Sequence, residues 1–535
     1  MDWNLADLFE SVVDVLPDHE VLVAGDRRLT YARLEARANR LAHHLAEHGV
    51  GPGDFVGTYL YNSTEYLEAT LAAYKLRAVP VNVNYRYVED ELRYLFDNAD
   101  LVALVHGREF APRIAGILAD CPKLRHFVSV EDGSNADLTP LAAVEYELAL
   151  ESASPARDFA PRSGDDLYVL YTGGTTGLPK GVLWRQEDFY LATIGPLVAL
   201  GGPLPERPDG VAELARNGGV ISLVVPPLMH GAAMWVALMA FYAGGKAVLC
   251  KSHRLDPHEV WSLVGREHIQ SIVTVGDAMV RPLIEALDEP GADYDLSSLV
   301  AIGSGGAILS SAVKEQIRTK LPNVLVIDSL GASESGYQGS VVGQDDEGHP
   351  RFSMGPSTTV LGPDHRPLAP GSGIVGALAR RGHVPLGYYK DEAKTAATFV
   401  ELDGERWALP GDMARLEADG SITLLGRGSV SISSGGEKIY PEEVEAALKR
   451  NPDVFDVVVV GVPDERWGER VVAVVVARAG SKPTLASLVE GAREHIAGYK
   501  VPRELHLVPE MVRSPSGKAD YRWAKATALT TPAAQ

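Results

Sequence analysis

Two hydrophobic patterns alternate along most of this chain, and together they predict strands joined by helices. Near-continuous apolar runs such as SLVV, SIVTV, LVAI and VLVID are typical of parallel strands that helices cover on both faces. Elsewhere the apolar spacing is helical, as from Leu34 to Leu45, a segment that Thr30 can cap and Gly49 can end. The expected fold class is therefore α/β, with a large N-terminal domain of parallel-rich sheets covered by helices.

Shorter segments give more specific predictions. EVLVAGDRRLTY predicts a hairpin that turns at Gly25–Asp26, while FVGTYL, a helix from Ser63 to about Lys75, and VPVNVN predict a β-α-β unit. The apolar stretch from Gly231 to Gly245 is shorter than the ~20 residues that a membrane span needs, so a buried helix is expected. An N-terminal helix is expected to bury Leu5, Leu8, Phe9, Val12 and Leu16.

The pattern changes near Gly426, where a Gly- and Ser-rich stretch precedes a second, smaller region. A helix from Pro441 to Lys449 and the strands VFDVVVVGV and VVAVVVA predict a small α+β domain there. The predicted division is an N-terminal domain over residues 1–426, a hinge over 427–431, a C-terminal domain over 432–526 and a tail over 527–535. The tail is expected to be frayed.

Composition narrows the class of protein. The 535 residues are 46% hydrophobic and 23% charged, which is typical of a globular protein with more than one domain. A formal net charge of −21 argues against nucleic acid as a partner, because its phosphates would be repelled. Cys121 and Cys250 are the only cysteines, and the acidic N-terminus lacks a basic signal-peptide region, so a cytoplasmic protein without a membrane span is expected.

The loop YTGGTTGLPKGV, from Tyr171 to Val182, carries the strongest chemical signal. Gly173 and Gly174 let successive backbone N–H groups turn inward into an anion-binding nest. The spacing fits neither the P-loop pattern nor the dinucleotide-binding pattern. By itself the loop is either a polyphosphate cradle or an ordinary hairpin between two strands. Its hydroxyl donors and its cation are Thr172, Thr175, Thr176 and Lys180.

Four further segments place polar groups beside predicted strands. SGGA at Ser304–Ala307 lets the backbone pack against a flat ring or a ribose, and Ser329–Gly336 supplies the Glu334 carboxylate. Asp412 lies in LPGDMA, and Lys518 lies in the Pro- and Gly-bounded loop RSPSGKADYR. Taken singly, such acids are usually solvated turn residues and such lysines are usually exposed.

In their order and spacing these motifs resemble the adenylate-forming (ANL) superfamily of acyl-CoA synthetases, peptide-synthetase adenylation domains and beetle luciferases. The markers YTGGTTGLPKGV, PPLMHG, SLGASES, WALPGD, LLGR, SGGEKIYPEEVE, VPDERWGE and SPSGK cover essentially the whole chain. The resemblance implies that a carboxylate attacks the α-phosphate of Mg-ATP to give acyl-AMP, and that the thiol of coenzyme A then displaces AMP. It also implies a mobile C-terminal domain that rotates between these steps.

The resemblance implies a role for each motif. Lys518 would bridge the attacking carboxylate and the α-phosphate, Lys180 would hold the β- and γ-phosphates together with Thr175 and Thr176, and Glu334 would position Mg²⁺ with Thr175. The ribose would bind Asp412 and Arg427. The implied nucleotide site comprises Thr172, Gly173, Gly174, Gly305, Gly306, Ala307, Asp328, Ser329, Leu330, Gly331, Ala332, Ser333, Asp412, Leu424 and Arg427.

The resemblance also implies an acyl pocket, a coenzyme A site and a hinge at Val430. His230 would border the acyl pocket and gate the pantetheine tunnel, although a packed histidine before a buried helix remains an alternative. The implied acyl-binding residues are Met229, His230, Met234, Trp235 and Gly305. The implied coenzyme A-binding residues are Ser434, Gly435, Gly436 and Lys438.

Three positions depart from the common family pattern. Leu330 replaces the tyrosine expected to stack on adenine, a loss of ~0.5–1.5 kcal/mol. Ser333 replaces a threonine, and Val430 replaces the usual acid or lysine of the hinge. These changes leave a second interpretation open, in which a companion enzyme makes the acyl-adenylate and this chain forms only the thioester.

The substrate class follows from one missing residue type and one further resemblance. PPLMHGAAMW contains no acid that could hold a substrate amine, so an amino acid is not expected. LWRQEDFY, ARRGHVPLGYYKDEAKTAATF and SPSGKADYRWAKA resemble actinobacterial ligases for steroid side-chain acids and other bulky lipophilic acids. The sequence thus predicts an acyl-CoA ligase for a polycyclic, terpenoid, steroid-like or fatty acid. A carrier-protein-loading adenylation enzyme and a non-catalytic nucleotide-binding regulator are the alternatives, and a homodimer stays open.

Overall fold

Strands and helices alternate through the N-terminal domain as the hydrophobic pattern predicts. The computed structural model describes residues 2–172, 179–199, 202–307, 309–344, 350–434, 437–464, 467–496, 498–513 and 518–534. The longer helices of this domain span Leu5–Val15, Tyr31–Glu47, Thr64–Lys75, Glu89–Asn98, Gly231–Tyr242, Pro257–Glu267, Gly276–Ala286 and Ser311–Lys320. Shorter helices span Ala111–Ile117, Tyr146–Glu151, Gln186–Phe189, Gly195–Val198, Gly210–Ala215 and Glu392–Thr398.

Within the described ranges the N-terminal domain contains three sheets. The first has 15 strands, parallel from Glu20–Ala24 as far as Leu325–Ala332 and antiparallel beyond. Fourteen of its strands follow the order Arg27–Thr30, Glu20–Ala24, Lys246–Leu249, Ile221–Val224, Ser271–Thr274, Ala301–Gly305, Leu325–Ala332, Gly336–Gln344, Pro350–Met354, Ile422–Arg427, Asp412–Leu416, Val375–Arg381, Glu405–Ala408 and Phe399–Leu402. The remaining strand, Thr358–Leu361, lies off this path and pairs with Val375–Arg381. A parallel sheet has the order Val79–Asn82, Phe55–Tyr59, Leu101–Gly107, His126–Val130 and Val144–Glu145. The third joins Gly387–Tyr388, Lys180–Arg185 and Leu167–Thr172.

The specific predictions for this domain are confirmed. The strands Glu20–Ala24 and Arg27–Thr30 pair as an antiparallel hairpin around Gly25–Asp26. The Thr30 side chain caps the next helix by accepting a hydrogen bond from the Arg33 N–H. The apolar helix Gly231–Tyr242 lies in the core, and none of the helices in the described ranges has both the length and the apolar character that crossing a bilayer requires.

The C-terminal region builds its own hydrophobic core. Its sheet has the order Glu437–Ile439, Ile432–Ser434, Gly468–Ala477 and Val454–Asp464, with Glu504–Leu507 parallel to Gly468–Ala477. The helices Pro441–Leu448, Leu485–Arg493 and Tyr521–Thr530 pack on it. The buried valines of the two long strands alternate between two clusters, one on each face of the sheet.

The prediction of a frayed tail from Thr527 onward is wrong. The last helix continues to Thr530, because Ala524 and Ala528 are buried against the valines of the sheet. Beyond the helix, the Ala534 N–H donates to the Leu505 carbonyl oxygen at 2.7 Å. Small side chains at helical spacing therefore anchor a segment whose composition alone indicates disorder.

Candidate active site

A cavity of about 270 Å³ lies between the two domains. The strands Ala301–Gly305 and Leu325–Ala332 end beside it, and the C-terminal helix Pro441–Leu448 contributes to the opposite wall. The residues predicted from the sequence that line it are Gly306, Ala307, Asp328, Ser329, Leu330, Gly331, Asp412, Leu424 and Lys518. Residues that are distant in sequence, including the C-terminal lysine, thus face one space.

Strand register explains why these residues meet. Parallel pairing sets Ser304 beside Asp328 and Gly305 beside Ser329. The carboxyl ends of parallel strands form the edge where ligands of open α/β sheets bind. Gly306 then takes a φ of +81°, a left-handed conformation that favours glycine. Asp412 reaches the cavity from the start of another strand, where it pairs with the backbone of Arg427.

Asp328 forms a buried ion pair at the cavity wall that the sequence analysis missed. Its carboxylate lies 2.6 Å from the Nζ atom of Lys314, and both side chains are nearly inaccessible to water. Burial raises the pKa of Asp328, and the Lys314 charge opposes that shift. Because Lys314 lies on an amphipathic helix without a motif, nothing in the local sequence indicates this contact. Asp328 is thus held in place by a lysine before any ligand binds.

One helix face carries the contacts that seat the C-terminal domain beside the cavity. Asp277 lies 3.6 Å from Lys449, and Glu285 lies 3.3 Å from Arg478. Between them on Gly276–Ala286, the Arg281 guanidinium lies 5.9 Å from the ring centre of Phe455. These contacts repeat every fourth residue and so lie on one face of the helix. They hold the domain where Lys518 lines the same cavity as Asp328–Gly331.

The two strands that flank the predicted phosphate loop pair antiparallel. Thr172 and Lys180 are cross-strand partners, while Gly173, Gly174, Thr175 and Thr176 lie outside the described residues. The Lys180 Nζ atom lies 2.5 Å from Asp391, which also caps the helix Glu392–Thr398. This ion pair lowers the pKa of Asp391. Lys180 is not among the residues lining the cavity described above.

Two aromatic side chains from the third sheet hold Glu334 and its neighbour Ser333. The Tyr388 hydroxyl donates to Glu334 Oε1 at 2.7 Å, and Trp184 Nε1 donates to the Ser333 carbonyl oxygen at 3.0 Å. The Lys180 ammonium lies 5.9 Å from the centre of the Tyr388 ring. Tyr388 thus links the two predicted phosphate and metal residues. Both Tyr388 and Asp391 lie in GYYKDEAKTAATF. That segment was therefore the sequence signal from which their role beside Glu334 and Lys180 could have been predicted.

The lining of this cavity includes none of Met229, His230, Met234, Trp235 and Ser434. The other predicted acyl residue, Gly305, ends a strand beside the cavity. The Met229 carbonyl oxygen accepts from Asn82 at 2.8 Å, His230 precedes the helix Gly231–Tyr242, and Trp235 Nε1 donates to the Tyr168 hydroxyl at 3.3 Å. Met234 is buried in the core. Ser434 ends a strand of the C-terminal domain and Val430 ends a 3₁₀ turn. Gly435, Gly436 and the side chains of Lys438 and Arg427 lie outside the described part of the chain.

Buried Glu445 makes the stability of the protein depend on pH. Burial and nearby Glu442 raise its pKa to about 8, although the Val459 N–H donates to it at 2.9 Å. The folded state therefore keeps a proton that the unfolded state releases, so stability falls as pH rises from about 4.5 to 8. The fall approaches about 1.4 kcal/mol per pH unit within that window.

We expect Glu445→Gln to remove the fall in stability between pH 4.5 and 8. Glutamine keeps an oxygen that accepts from the Val459 N–H, and it has no proton to release in this range. Urea unfolding at pH 5, 6.5 and 8 measures the change in free energy of unfolding. The exposed Glu494→Gln is the matched control. Parallel pH profiles for wild type and Glu445→Gln would contradict the prediction.

Comparisons with known proteins agree with this arrangement. Residues 9–389 match the AMP-binding enzyme family and residues 443–518 match the AMP-binding enzyme C-terminal domain. The chain is 50% identical over 533 residues to a 3-oxocholest-4-en-26-oate–CoA ligase of Rhodococcus rhodochrous, covering 98% of this chain and 96% of the relative. It is 49% identical over 540 residues to a medium/long-chain-fatty-acid–CoA/3-oxocholest-4-en-26-oate–CoA ligase of Mycolicibacterium smegmatis, covering 100% and 98%.

Solved structures share the same fold over nearly the full chain. The anthranilate CoA ligase AuaEII in complex with anthranoyl-AMP superposes with a TM-score of 0.84 at 23% identity, covering 98% of this chain and 97% of that one. ATP-bound MatB from Rhodopseudomonas palustris gives a TM-score of 0.82 at 24% identity, covering 99% of each chain. At this level of identity the likeness describes the fold.

The chain belongs to the AMP-binding enzyme family, the adenylate-forming ANL superfamily. Within this family the chain is an acid–thiol ligase of the acyl-CoA synthetase class. Relatives that are about 50% identical over nearly the full chain belong to the same class. The α/β fold with a small C-terminal domain, predicted from the sequence, is confirmed.

Proposed function

We propose that this protein activates a steroid side-chain acid or a comparable bulky lipophilic acid with ATP and transfers the acyl group to coenzyme A. The observation that carries the proposal is the cavity in which Lys518 of the C-terminal domain faces Asp328–Gly331 and Asp412. In this cavity the Lys518 cation lies on the same lining as the residues that the resemblance assigns to the nucleotide. The names of the relatives support the choice of acid.

Each step assigns a bond change to these residues. In the first, a carboxylate oxygen of the acid attacks the α-phosphorus, the bond to pyrophosphate breaks, and Lys518 neutralises charge on both reacting oxygens. The Asp412 carboxylate accepts hydrogen bonds from the ribose hydroxyls. The Lys180 ammonium leaves its ion pair with Asp391 and pairs with the leaving pyrophosphate. In the second, the deprotonated thiol of coenzyme A attacks the acyl carbonyl carbon and the bond to AMP breaks. Ser434 and the segment after it lie on the C-terminal domain, whose rotation about Val430 would bring them to the acyl group.

The oxygen donors near the hairpin fit a magnesium ion. A carboxylate is the ligand type that Mg²⁺ prefers, and the Tyr388 hydroxyl fixes the Glu334 carboxylate by donating to its Oε1. Glu334 would hold the ion together with Thr175, and the ion would neutralise phosphate charge. His230, Met229, Met234 and Trp235 remain the proposed border of the acyl pocket.

We expect Tyr388→Phe to weaken Mg²⁺-dependent adenylation. Loss of one hydrogen bond to the charged carboxylate is worth about 1.5 kcal/mol, which is roughly tenfold in rate. The loss should be largest at low Mg²⁺ and should shrink as Mg²⁺ approaches saturation, which pyrophosphate exchange measures. Tyr389→Phe is the matched control, because that neighbouring hydroxyl donates instead to Asp100 at 2.9 Å. Equal losses in the two variants would refute a specific role for Tyr388.

The remaining assignments belong to the same proposal. The domains are divided at residues 426 and 432, which the separate C-terminal cores support. A cytoplasmic location is supported by two buried cysteines without a disulfide. The homodimer and the companion adenylating enzyme remain predictions from the sequence.

Assaying the two half-reactions separately tests the proposal. We expect acid-dependent ATP–pyrophosphate exchange with 3-oxocholest-4-en-26-oate and weaker exchange with fatty acids, followed by thioester formation with coenzyme A. No exchange, but thioester from a synthetic acyl-adenylate, would favour the half-reaction interpretation. Transfer to a carrier protein alone would favour a loading enzyme, and neither activity would favour a regulator.

A further inference from the structure

Three histidines meet on the N-terminal domain, outside the site described above. His44 lies in the last turn of the helix Tyr31–Glu47, His48 caps that helix, and His126 starts a strand of the five-stranded parallel sheet. One ring nitrogen from each lies within 4.8 Å of the others. The spacing of four residues sets His44 and His48 on one helix face, where they meet the strand residue.

The separation of the His44 and His126 ring nitrogens is close to that of two ligands in a metal site. His44 Nε2 lies 3.0 Å from His126 Nε2. Two nitrogen ligands at 2.0–2.1 Å from a tetrahedral zinc ion lie about 3.3 Å apart, so a small outward shift of these rings suffices. The His48 ring stacks on His126 with 4.0 Å between centres. Because His48 is the exposed member, its side chain can turn its nitrogen toward a common ion.

A hydrogen bond sets the tautomer of His48. His48 Nδ1 lies 2.7 Å from the His44 carbonyl oxygen, so Nδ1–H donates and the Nε2 lone pair is left for an ion. His44 and His126 share one proton between their Nε2 atoms. Ligation by both needs that proton to move to the Nδ1 of the same ring, a tautomer change without change of charge.

The charges around the cluster allow a divalent cation. The Glu47 charge favours a cation at His44, whereas the charge of Arg125, which donates to the Gly49 carbonyl oxygen at 2.8 Å, opposes one at His126. His44 and His126 are buried, so they lose little side-chain freedom on ligation. Because His48 is exposed to solvent, a water can serve as the fourth ligand.

We propose that His44, His48 and His126 form a binding site for a divalent transition-metal ion of the zinc type. Three imidazoles are a donor set that zinc, copper and nickel prefer over magnesium or calcium. A bound ion would tie the end of the Tyr31–Glu47 helix to the parallel sheet and stabilise this part of the domain. The proposal is independent of the ligase function, because none of the three residues borders the cavity that contains Lys518.

Equilibrium dialysis of the full-length, tag-free protein with Zn²⁺ tests the site. We expect one Zn²⁺ per chain, and we expect His48→Ala to weaken binding at least ~10-fold, as changes in metal shells do. His48 is exposed, so this variant should fold normally. Wild type should also gain thermal stability with Zn²⁺, a gain that His48→Ala loses.

The control is His43→Ala on the same helix. His43 points elsewhere, with Nε2 2.9 Å from Asp158, and should leave Zn²⁺ binding unchanged. A second variant, His126→Gln, should lose the site while circular dichroism reports the fold. No bound Zn²⁺ in wild type, or equal weakening by His43→Ala and His48→Ala, would overturn the proposal.

Discussion

Replacing Lys518 by alanine should lower acid-dependent ATP–pyrophosphate exchange by about three powers of ten. A unit charge pair at ~4 Å and an effective dielectric constant of ~20 is worth roughly 4 kcal/mol, and Lys518 would supply it as charge develops at the α-phosphate. Thioester formation from a supplied acyl-adenylate should stay near the wild-type rate, because the domain then presents another face. Measuring both half-reactions on one preparation separates these effects.

A matched lysine from the same region controls for a general loss of charge. Lys525 lies on the final helix, half exposed, and its Nζ atom lies 3.4 Å from Glu469. Lys525→Ala should therefore keep both half-reactions. Equal loss of exchange and thioester formation in Lys518→Ala would mean that the variant damages the domain or that the residue has no step-specific role.

Glu334→Gln should lower adenylation by about two powers of ten and shift the Mg²⁺ requirement upward. Removing a carboxylate from a metal-assisted step costs several kcal/mol, while the amide oxygen can still accept from Tyr388. The measurement is the pyrophosphate-exchange rate as a function of Mg²⁺. Thioester formation from an acyl-adenylate should be unaffected, because that step transfers no pyrophosphate.

The exposed acid Glu392 provides the comparison for Glu334. It lies in the first turn of the helix that Asp391 caps, and Glu392→Gln should leave the Mg²⁺ profile unchanged. A Glu334→Gln variant that loses activity equally at every Mg²⁺ concentration would argue for a structural role. A variant with normal activity would exclude Glu334 from the metal site.

Local patterns in the sequence predicted most of the secondary structure. The helix capped by Thr30 and the hairpin around Gly25–Asp26 depend on neighbours within a few residues, so propensity and capping suffice. The prediction of a frayed tail was wrong because composition carries no information on tertiary contacts. Ala528 is buried against a sheet whose strands precede it in the sequence. Local order that depends on distant packing is not visible in a short window.

The sequence by itself determined the family, the α/β fold and nine of the residues that line one cavity, since motif order and strand periodicity are properties of the chain. Only the tertiary structure decided the partners of those residues. Lys314 and Asp328 are 14 residues apart in the sequence, and Tyr388 and Glu334 are 54 residues apart. The three histidines come from a helix and a strand of a sheet. The physical reason is that an ion pair or hydrogen bond needs atoms within about 3 Å, and only packing of whole elements sets that distance.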